Sequence, residues 1–169
     1  MDAARALVLD VDGVLTDGRI YYGPGGPMRA FDVQDGIAIL WFQKHLGEVA
    51  LLTGLESESV RQRATDLKIA HVIQGSRDKL SDLRRLAPRL DVPLEEIAYI
   101  GDDLPDLAAM TACGWPIAPA NAREEVRRRA RVVTRCSGGR GAVREAIEWL
   151  LRRAGKWQDV LGAFARSAG

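Results

Sequence analysis

The sequence predicts an α/β protein: a three-layer, Rossmann-like open parallel sheet with helices on both faces, a short β-hairpin flap and no separate cap domain. Short apolar runs alternate along the chain with longer segments whose apolar residues recur at helical spacing. Strands that alternate with helices form mostly parallel sheets, because each helix carries the chain back before the next strand begins. A Gly/Pro cluster at 23–27, set between two β-prone runs, predicts the hairpin.

The elements follow in order from these patterns. The apolar run 6–10 predicts a buried strand that ends at Asp10, and residues 18–32 form the hairpin flap. Further apolar runs predict strands at 49–52, 70–73, 97–100, 115–118 and 132–134. Helical spacing predicts helices at 36–45, 60–67, 80–90 with a break near Pro88, 104–110 and 142–154. Residues 155–169 are left as a C-terminal tail, and we expect residues 1–169 to form a single domain because the inserts are too short to hold a second core.

Composition excludes several classes of function. The formal charge of the 169-residue chain is +1, and its arginine clusters are interleaved with acids, so we expect no nucleic-acid partner. No apolar run reaches the length of a membrane span, so we expect no membrane contact. Cys113 and Cys136 have neither disulfide-framework nor zinc spacing. These features predict a cytoplasmic protein.

Chemically active side chains follow four of the predicted strands. They are Asp10 and Asp12, the pair Thr53-Gly54, Lys79, and the run that starts at Asp102. Parallel strands place their carboxyl ends along one edge of the sheet, where open α/β proteins bind ligands. The sequence therefore brings residues from four distant segments to one predicted site.

The residue types at this site predict phosphoryl transfer. Carboxylates as crowded as Asp10, Asp12, Asp102, Asp103 and Asp106 repel one another, and an oxygen-only ligand set of this kind suits Mg²⁺. Lys79 adds a positive charge, and Thr53 adds a hydroxyl and a backbone N–H. Asp10 can serve as the nucleophile that forms an aspartyl phosphate, and Asp12 as the acid/base.

These residues also carry a family resemblance. The segments 10–18, 53–54, Lys79 and 101–106 resemble the haloacid dehalogenase superfamily of phosphatases. With 31–36, 74–75 and 138–145, the chain is similar to the capless subgroup that contains the octulosonate 8-phosphate and nonulosonate 9-phosphate phosphatases. Matching residues run from about Leu9 to Lys156, nearly the whole chain.

The resemblance implies a role for each matching residue. Asp10 is implied as nucleophile, Asp12 as acid/base, and Thr53 and Lys79 as holders of the phosphoryl group. Implied Mg²⁺ ligands are Asp10, the backbone carbonyl of Asp12, and Asp102. Implied substrate contacts are Asp32, Gln34, Asp35, Gly36, Gly54, Arg63 and Lys79. Asp103 and Asp106 are expected to support the metal site rather than ligate it.

The resemblance further implies a homotetramer in which a neighbouring subunit covers the site. The flap, and the tail with Trp157 and Phe164, are the parts expected to meet that neighbour.

One residue departs from the family pattern and leaves the substrate open. Octulosonate phosphatases usually carry Arg after the Thr-Gly pair, whereas this chain has Leu55 followed by Glu56. A phosphorylated sugar acid of the octulosonate 8-phosphate type is the first expectation. A nonulosonate 9-phosphate or another sugar or cyclitol phosphate is the alternative, and a catalytically silent binding protein is the third.

Overall fold

Six parallel strands form the central sheet in the computed structural model, which describes residues 3–165. Its strand order is β5-β4-β1-β6-β7-β8, so β1 lies between β4 and β6. The strands are β1 (Ala6–Leu9), β4 (Glu48–Leu52), β5 (His71–Ile73), β6 (Ile97–Ile100), β7 (Trp115–Ala118) and β8 (Val132–Val133). Two further strands, β2 (Tyr21–Gly23) and β3 (Gly26–Met28), pair antiparallel with each other. The predicted parallel sheet and hairpin flap are therefore confirmed, and residues 3–165 contain no separate cap domain.

Residues 3–165 contain seven α-helices, of which the first five connect strands and the last two follow β8. They are α1 (Val33–His45), α2 (Glu58–Asp66), α3 (Lys79–Arg89), α4 (Leu107–Ala112), α5 (Glu124–Arg129), α6 (Ala142–Arg153) and α7 (Trp157–Ala165). Side chains alternate between the two faces of the sheet, so Leu7 and Leu9 belong to one apolar core while Ala6 and Val8 belong to the other. The first core is covered by α1, α2, α6 and α7, and the second by α3, α4 and α5. This is the three-layer arrangement that the alternating pattern predicts.

Helix α1 begins three residues before the predicted start at residue 36. The Asp32 side chain accepts hydrogen bonds from the backbone N–H groups of Gln34 (2.6 Å) and Asp35 (3.2 Å). This cap satisfies two of the N–H groups that have no partner within a helix, so the helix can include Val33.

The sequence predicts a break in helix α3 near Pro88, and that prediction is wrong. Helix α3 continues through Pro88 and ends one residue later, at Arg89. Pro88 lies in the last turn, and the Leu90 N–H still reaches the Leu86 carbonyl at 3.0 Å. The proline therefore costs one backbone hydrogen bond without disrupting the turns before it.

The predicted tail is helical over most of the described part. Helix α7 packs on its own chain: the rings of Trp157 and Phe164 meet that of Trp41 edge to face, with centroids 6.0 and 5.9 Å apart. Trp157 and Phe164 thus have a partner within the subunit, and their expected contact with a neighbour stays a prediction. Residues 166–169 of the predicted tail lie outside the described residues.

None of the helices in residues 3–165 combines the length and the apolar character that crossing a membrane requires.

Candidate active site

Strand β1 brings Asp10 to the carboxyl edge of the sheet, between its neighbours β4 and β6. The chain then makes a wide turn over Val11–Leu15 in which Gly13 adopts φ +93°. A side chain at Gly13 would collide with the Asp102 carboxylate, so both the conformation and the space require glycine. The buried Thr16 hydroxyl accepts hydrogen bonds from the N–H groups of Gly13 and Gly18 and fixes the turn. The turn places Asp12 in the same cleft as Asp10.

Lys79 links Asp10 to Asp106. Its Nζ lies 3.0 Å from Asp10 Oδ1 and 2.6 Å from Asp106 Oδ1, and its side chain is only 7% exposed. Burial opposes the charged ammonium, but the two carboxylates outweigh it and raise the pKa of Lys79 above its ordinary value. Lys79 therefore supplies a permanent positive charge beside Asp10.

The Asp106 carboxylate accepts four hydrogen bonds, two at each oxygen. Its Oδ1 accepts from Lys79 and from the Tyr99 hydroxyl at 2.8 Å, and its Oδ2 accepts from the N–H groups of Asp102 (3.1 Å) and Asp103 (3.2 Å). A carboxylate holds about four acceptor positions, so this side chain is fully engaged by protein donors. The expectation that Asp106 supports the metal site without ligating it stays a prediction, and this geometry agrees with it.

The residues present fit a hard divalent cation. One carboxylate oxygen from each of Asp10, Asp102 and Asp106 lies within 4.8 Å of the others. Asp102 Oδ1 is buried and has no hydrogen-bond partner, so it remains available as a ligand. With Asp106 occupied by donors, the carboxylates that remain to bind a cation are those of Asp10 and Asp102, and such oxygen ligands suit Mg²⁺.

The electrostatics of the metal-free site also favour binding of a divalent cation. Burial, together with the negative charge of Asp106, raises the pKa of Asp10 to about 7. Burial and the charges of Asp106 and Asp103 likewise raise the pKa of Asp102 to about 7. A bound divalent cation favours the ionised carboxylates and so reverses both shifts.

A cleft of about 700 Å³ opens above these acids. Of the residues predicted from the sequence, Asp10, Asp12, Thr53, Gly54, Lys79, Asp102, Asp103 and Asp106 line it. Thr53 is almost fully buried, and its backbone N–H is held by the Ile73 carbonyl at 2.9 Å. The side chain of Leu55, at the position that departs from the family pattern, is half exposed in the cleft wall.

Several residues of the site were missed from the sequence. Asn121 lines the cleft and joins two loops: its Nδ2 donates to the Gly13 carbonyl at 3.0 Å, and its Oδ1 accepts from the Gly138 N–H at 2.6 Å. Arg77 and Arg123 also line the cleft. Their positions just after β5 and just before α5 are the only sequence signal that places them at this edge.

The acid/base candidate Asp12 has a partner that the sequence did not reveal. Both of its carboxylate oxygens accept hydrogen bonds from Arg29, which follows strand β3 of the flap.

Five of the predicted substrate contacts, unlike Gly54 and Lys79, form a separate group that does not line this cleft. Asp32 caps α1, and its backbone carbonyl accepts from Arg63 Nη2 at 3.0 Å. Gly36 lies against the same guanidinium, Gln34 is exposed, and Asp35 is fully buried and accepts from the Arg144 N–H at 2.7 Å. A substrate role for these five residues stays a prediction.

Fold and site together define a hydrolase of a known class. Residues 48–147 match the haloacid dehalogenase-like hydrolase family, and the chain belongs to that family. Among its individual relatives, the chain is similar to the 3-deoxy-D-manno-octulosonate 8-phosphate phosphatase KdsC of Escherichia coli (strain K12). The two are 43% identical over 159 residues, which cover 94% of this chain and 85% of the relative.

Solved structures agree with this placement. The 3-deoxy-D-manno-octulosonate 8-phosphate phosphatase of Moraxella catarrhalis, in complex with magnesium, phosphate and KDO, superposes with a TM-score of 0.93 at 38% identity, covering 96% of this chain and 94% of that one. The cobalt-bound deoxy-D-mannose-octulosonate 8-phosphate phosphatase of Haemophilus influenzae gives a TM-score of 0.89 at 36% identity, covering 92% of each chain.

Proposed function

We propose that the protein is a Mg²⁺-dependent phosphatase that hydrolyses a phosphorylated sugar acid through an aspartyl phosphate on Asp10. The observation that carries the proposal is the geometry around Asp10. Its Oδ1 is 3.0 Å from the Lys79 ammonium, and the free carboxylate of Asp102 lies within 4.8 Å. The family membership and the named phosphatases among its relatives support it.

The residues divide the reaction into two transfers. A carboxylate oxygen of Asp10 forms the bond to phosphorus while the bond from phosphorus to the sugar oxygen breaks, and Asp12 gives that oxygen a proton. Asp12 then takes a proton from water, whose oxygen bonds to phosphorus and releases Asp10 and inorganic phosphate. Lys79, with the Thr53 hydroxyl and its neighbouring N–H groups, stabilises the charge on the phosphoryl oxygens. Mg²⁺ held by Asp10, Asp102 and the Asp12 carbonyl supplies charge neutralisation and a fixed phosphate orientation.

The first choice of substrate is 3-deoxy-D-manno-octulosonate 8-phosphate. The solved relative from Moraxella catarrhalis binds KDO, and the chain covers 94% of that relative and 85% of the Escherichia coli phosphatase. Leu55 cannot bind a substrate carboxylate by charge, but Arg77 and Arg123 line the same cleft. Among residues 3–165, Arg77 has no ion-pair partner, whereas Arg123 lies 3.8 Å from Asp103. Arg77 is therefore the better candidate for the carboxylate.

A substrate panel tests both the reaction and its specificity. We expect Mg²⁺-dependent phosphate release from octulosonate 8-phosphate to exceed release from nonulosonate 9-phosphates and from carboxylate-free sugar or cyclitol phosphates. Activity confined to phosphates without a carboxylate would refute the sugar-acid substrate and favour the alternative.

Two variants separate chemistry from specificity. Asp10→Asn should remove turnover of every phosphate, including an aryl phosphate, while the protein stays folded. A wild type that releases no phosphate from any member of the panel would instead support the silent binding protein.

Arg77→Met should raise KM about tenfold for the sugar acid, as loss of a charge-assisted hydrogen bond predicts. The same variant should leave KM for a carboxylate-free phosphate unchanged.

We also propose that the protein assembles as a homotetramer in the cytoplasm and that residues 1–169 form one domain. Support for assembly comes from exposed apolar side chains at i, i+4 and i+7 of α1, namely Val33, Ile37 and Leu40, and from Tyr22 of the flap, which is 83% exposed. The free thiols of Cys113 and Cys136 support a reducing compartment. Light scattering should give four times the 18.5 kDa chain mass, and Ile37→Glu should reduce it.

A further inference from the structure

Arg29 is the only side chain among residues 3–165 that hydrogen-bonds to the Asp12 carboxylate. Its Nε lies 2.6 Å from Asp12 Oδ1, and its Nη2 lies 3.3 Å from Oδ2. Arg29 follows β3, so the contact joins the flap to the turn after β1.

Burial distinguishes this pair from an ordinary surface ion pair. The Arg29 side chain is 3% exposed, whereas that of Asp12 is 22% exposed and reaches the cleft. A buried guanidinium without its carboxylate would lose much of its solvation without compensation, so the two side chains are expected to stay together. A planar guanidinium that donates two hydrogen bonds also fixes the orientation of the carboxylate plane, which a lysine ammonium cannot do.

We propose that Arg29 is a positioning residue that orients Asp12 for proton transfer, an inference that rests on the proposed function. Oδ1 accepts the shorter hydrogen bond, so Oδ2 is the oxygen that exchanges the proton. In the first transfer, the O–H bond at Oδ2 breaks as the sugar oxygen gains the proton. In the second, Oδ2 takes a proton from the attacking water. Arg29 itself neither gains nor loses a proton and touches no reacting atom.

The proposal is tested by comparing how an Arg29 variant reacts with substrates that have different leaving groups. A purely structural role would lower the rates with all of them alike. A sugar phosphate leaves as an alkoxide and needs the proton from Asp12, whereas 2,4-dinitrophenyl phosphate leaves as a stable anion and does not. The rate of Asp10 phosphorylation is measured by rapid quench in single turnovers, with octulosonate 8-phosphate as the sugar phosphate. For Arg29→Met we expect a loss of about 100-fold with the sugar phosphate, at the lower end of general-acid contributions, and less than about threefold with the dinitrophenyl ester.

Asp12→Ala is the matched control, since it removes the group that Arg29 is proposed to orient. It should show the same selective loss, and Arg29→Met combined with Asp12→Ala should lose no more than Asp12→Ala alone. Equal losses on both substrates in Arg29→Met, or additive losses in the double variant, would overturn the proposal.

Arg29→Lys keeps the charge without the two-pronged contact and covers the case in which Arg29→Met does not fold. A selective loss with the sugar phosphate, at an unchanged melting temperature, supports positioning, whereas unchanged rates on both substrates contradict it. Failure of the proposed function would look different, because Asp10→Asn would then form product regardless of the residue at position 29.

Discussion

At the level of single residues, Asp106 holds several parts of the site together through its four hydrogen bonds. It receives the Lys79 ammonium, the Tyr99 hydroxyl and two backbone N–H groups. Tyr99 is fully buried in β6, and burial raises its pKa well above the ordinary value, so its hydroxyl remains a donor. Asp106 thereby fixes the position of Lys79 relative to Asp10.

Replacing Asp106 tests this role. In Asp106→Asn the amide nitrogen must face donors. Either Lys79 and the Tyr99 hydroxyl lose this acceptor, which leaves Lys79 paired with Asp10 alone, or two N–H groups lose theirs. We expect a loss of about 3 kcal/mol in the free energy of unfolding, measured in urea, because a buried cation loses one of its two carboxylate partners or buried donors are left unpaired. We also expect kcat to fall. Asp103→Asn is the matched control, since Asp103 is half exposed and caps a short turn through the Leu104 N–H at 2.8 Å. Equal effects of the two substitutions would contradict a special role for Asp106.

The raised pKa values of Asp10 and Asp102 predict how Mg²⁺ binding depends on pH. Both groups titrate near pH 7 in the metal-free site, and the ion requires them ionised, so protons compete with Mg²⁺ below that pH. We expect the Mg²⁺ dissociation constant to fall on the order of 10- to 100-fold between pH 6 and pH 8, with one to two protons released. Titration calorimetry in buffers of different ionisation enthalpy measures both quantities. Asp102→Asn should abolish binding, and a pH-independent affinity in the wild type would contradict the assignment.

At the level of secondary-structure elements, Asp35 joins α1 to α6 through the Arg144 N–H. Burial raises its pKa from 3.8 to about 6. The folded state therefore binds this proton more tightly than the unfolded state does. The contribution of Asp35 to stability falls as pH rises from about 4 to about 6, and it is constant outside that window.

Asp35→Asn should remove this pH dependence, because an amide does not titrate in this range. Its oxygen can still accept the hydrogen bond from the Arg144 N–H, so the link between α1 and α6 is kept. We expect the variant to melt about 5 °C above the wild type at pH 7 and close to it at pH 4, measured by calorimetry. Asp91→Asn makes the same charge change at an exposed residue with φ +52°, where asparagine is well tolerated, and should give no such difference. A constant difference between Asp35→Asn and wild type at all pH values would rule out titration of Asp35 as the cause.

Helix α7 is held on its own subunit mainly by a few apolar side chains. Trp157 meets Trp41, and the Arg152 guanidinium lies 4.5 Å from the Trp157 ring centroid. We expect Trp157→Ala to raise the rate of trypsin cleavage after Lys156 about tenfold, because local opening exposes the backbone. Leu161→Ala, at a largely exposed position, is the control and should cleave like the wild type. Protection that rises with protein concentration would instead place α7 against another subunit.

Helix α7 and the site also show what the sequence could and could not reveal. Asp10, Thr53, Lys79 and Asp102 could be predicted together because each follows or begins an element at the same sheet edge. Arg29 and Asn121 could not, because a residue pattern carries no information about contacts that span 17 and 108 positions. Helix α7 was missed because its apolar residues find a partner only once α1 and α6 are in place.

For the molecule as a whole, the strand order explains why so few local signals were enough. The chain leaves β1 for β4 and β5 on one side, then returns to β6 and continues to β8 on the other. The loops after β1, β4, β5 and β6 therefore open onto one crevice. Both faces of the sheet are covered by an apolar core, so the alternation of strands and helices determines the layers, while individual contacts determine the site.

The arrangement of the indoles makes the protein its own optical probe. Its four tryptophans form two edge-to-face pairs: Trp41 of α1 with Trp157 of α7, and Trp115 of β7 with Trp149 of α6. Emission from the first pair should respond to the docking of α7, and emission from the second to the packing of α6 on β7. A Trp157→Phe variant would separate the two signals, so that detachment of the C-terminal helix could be followed in real time without an attached dye.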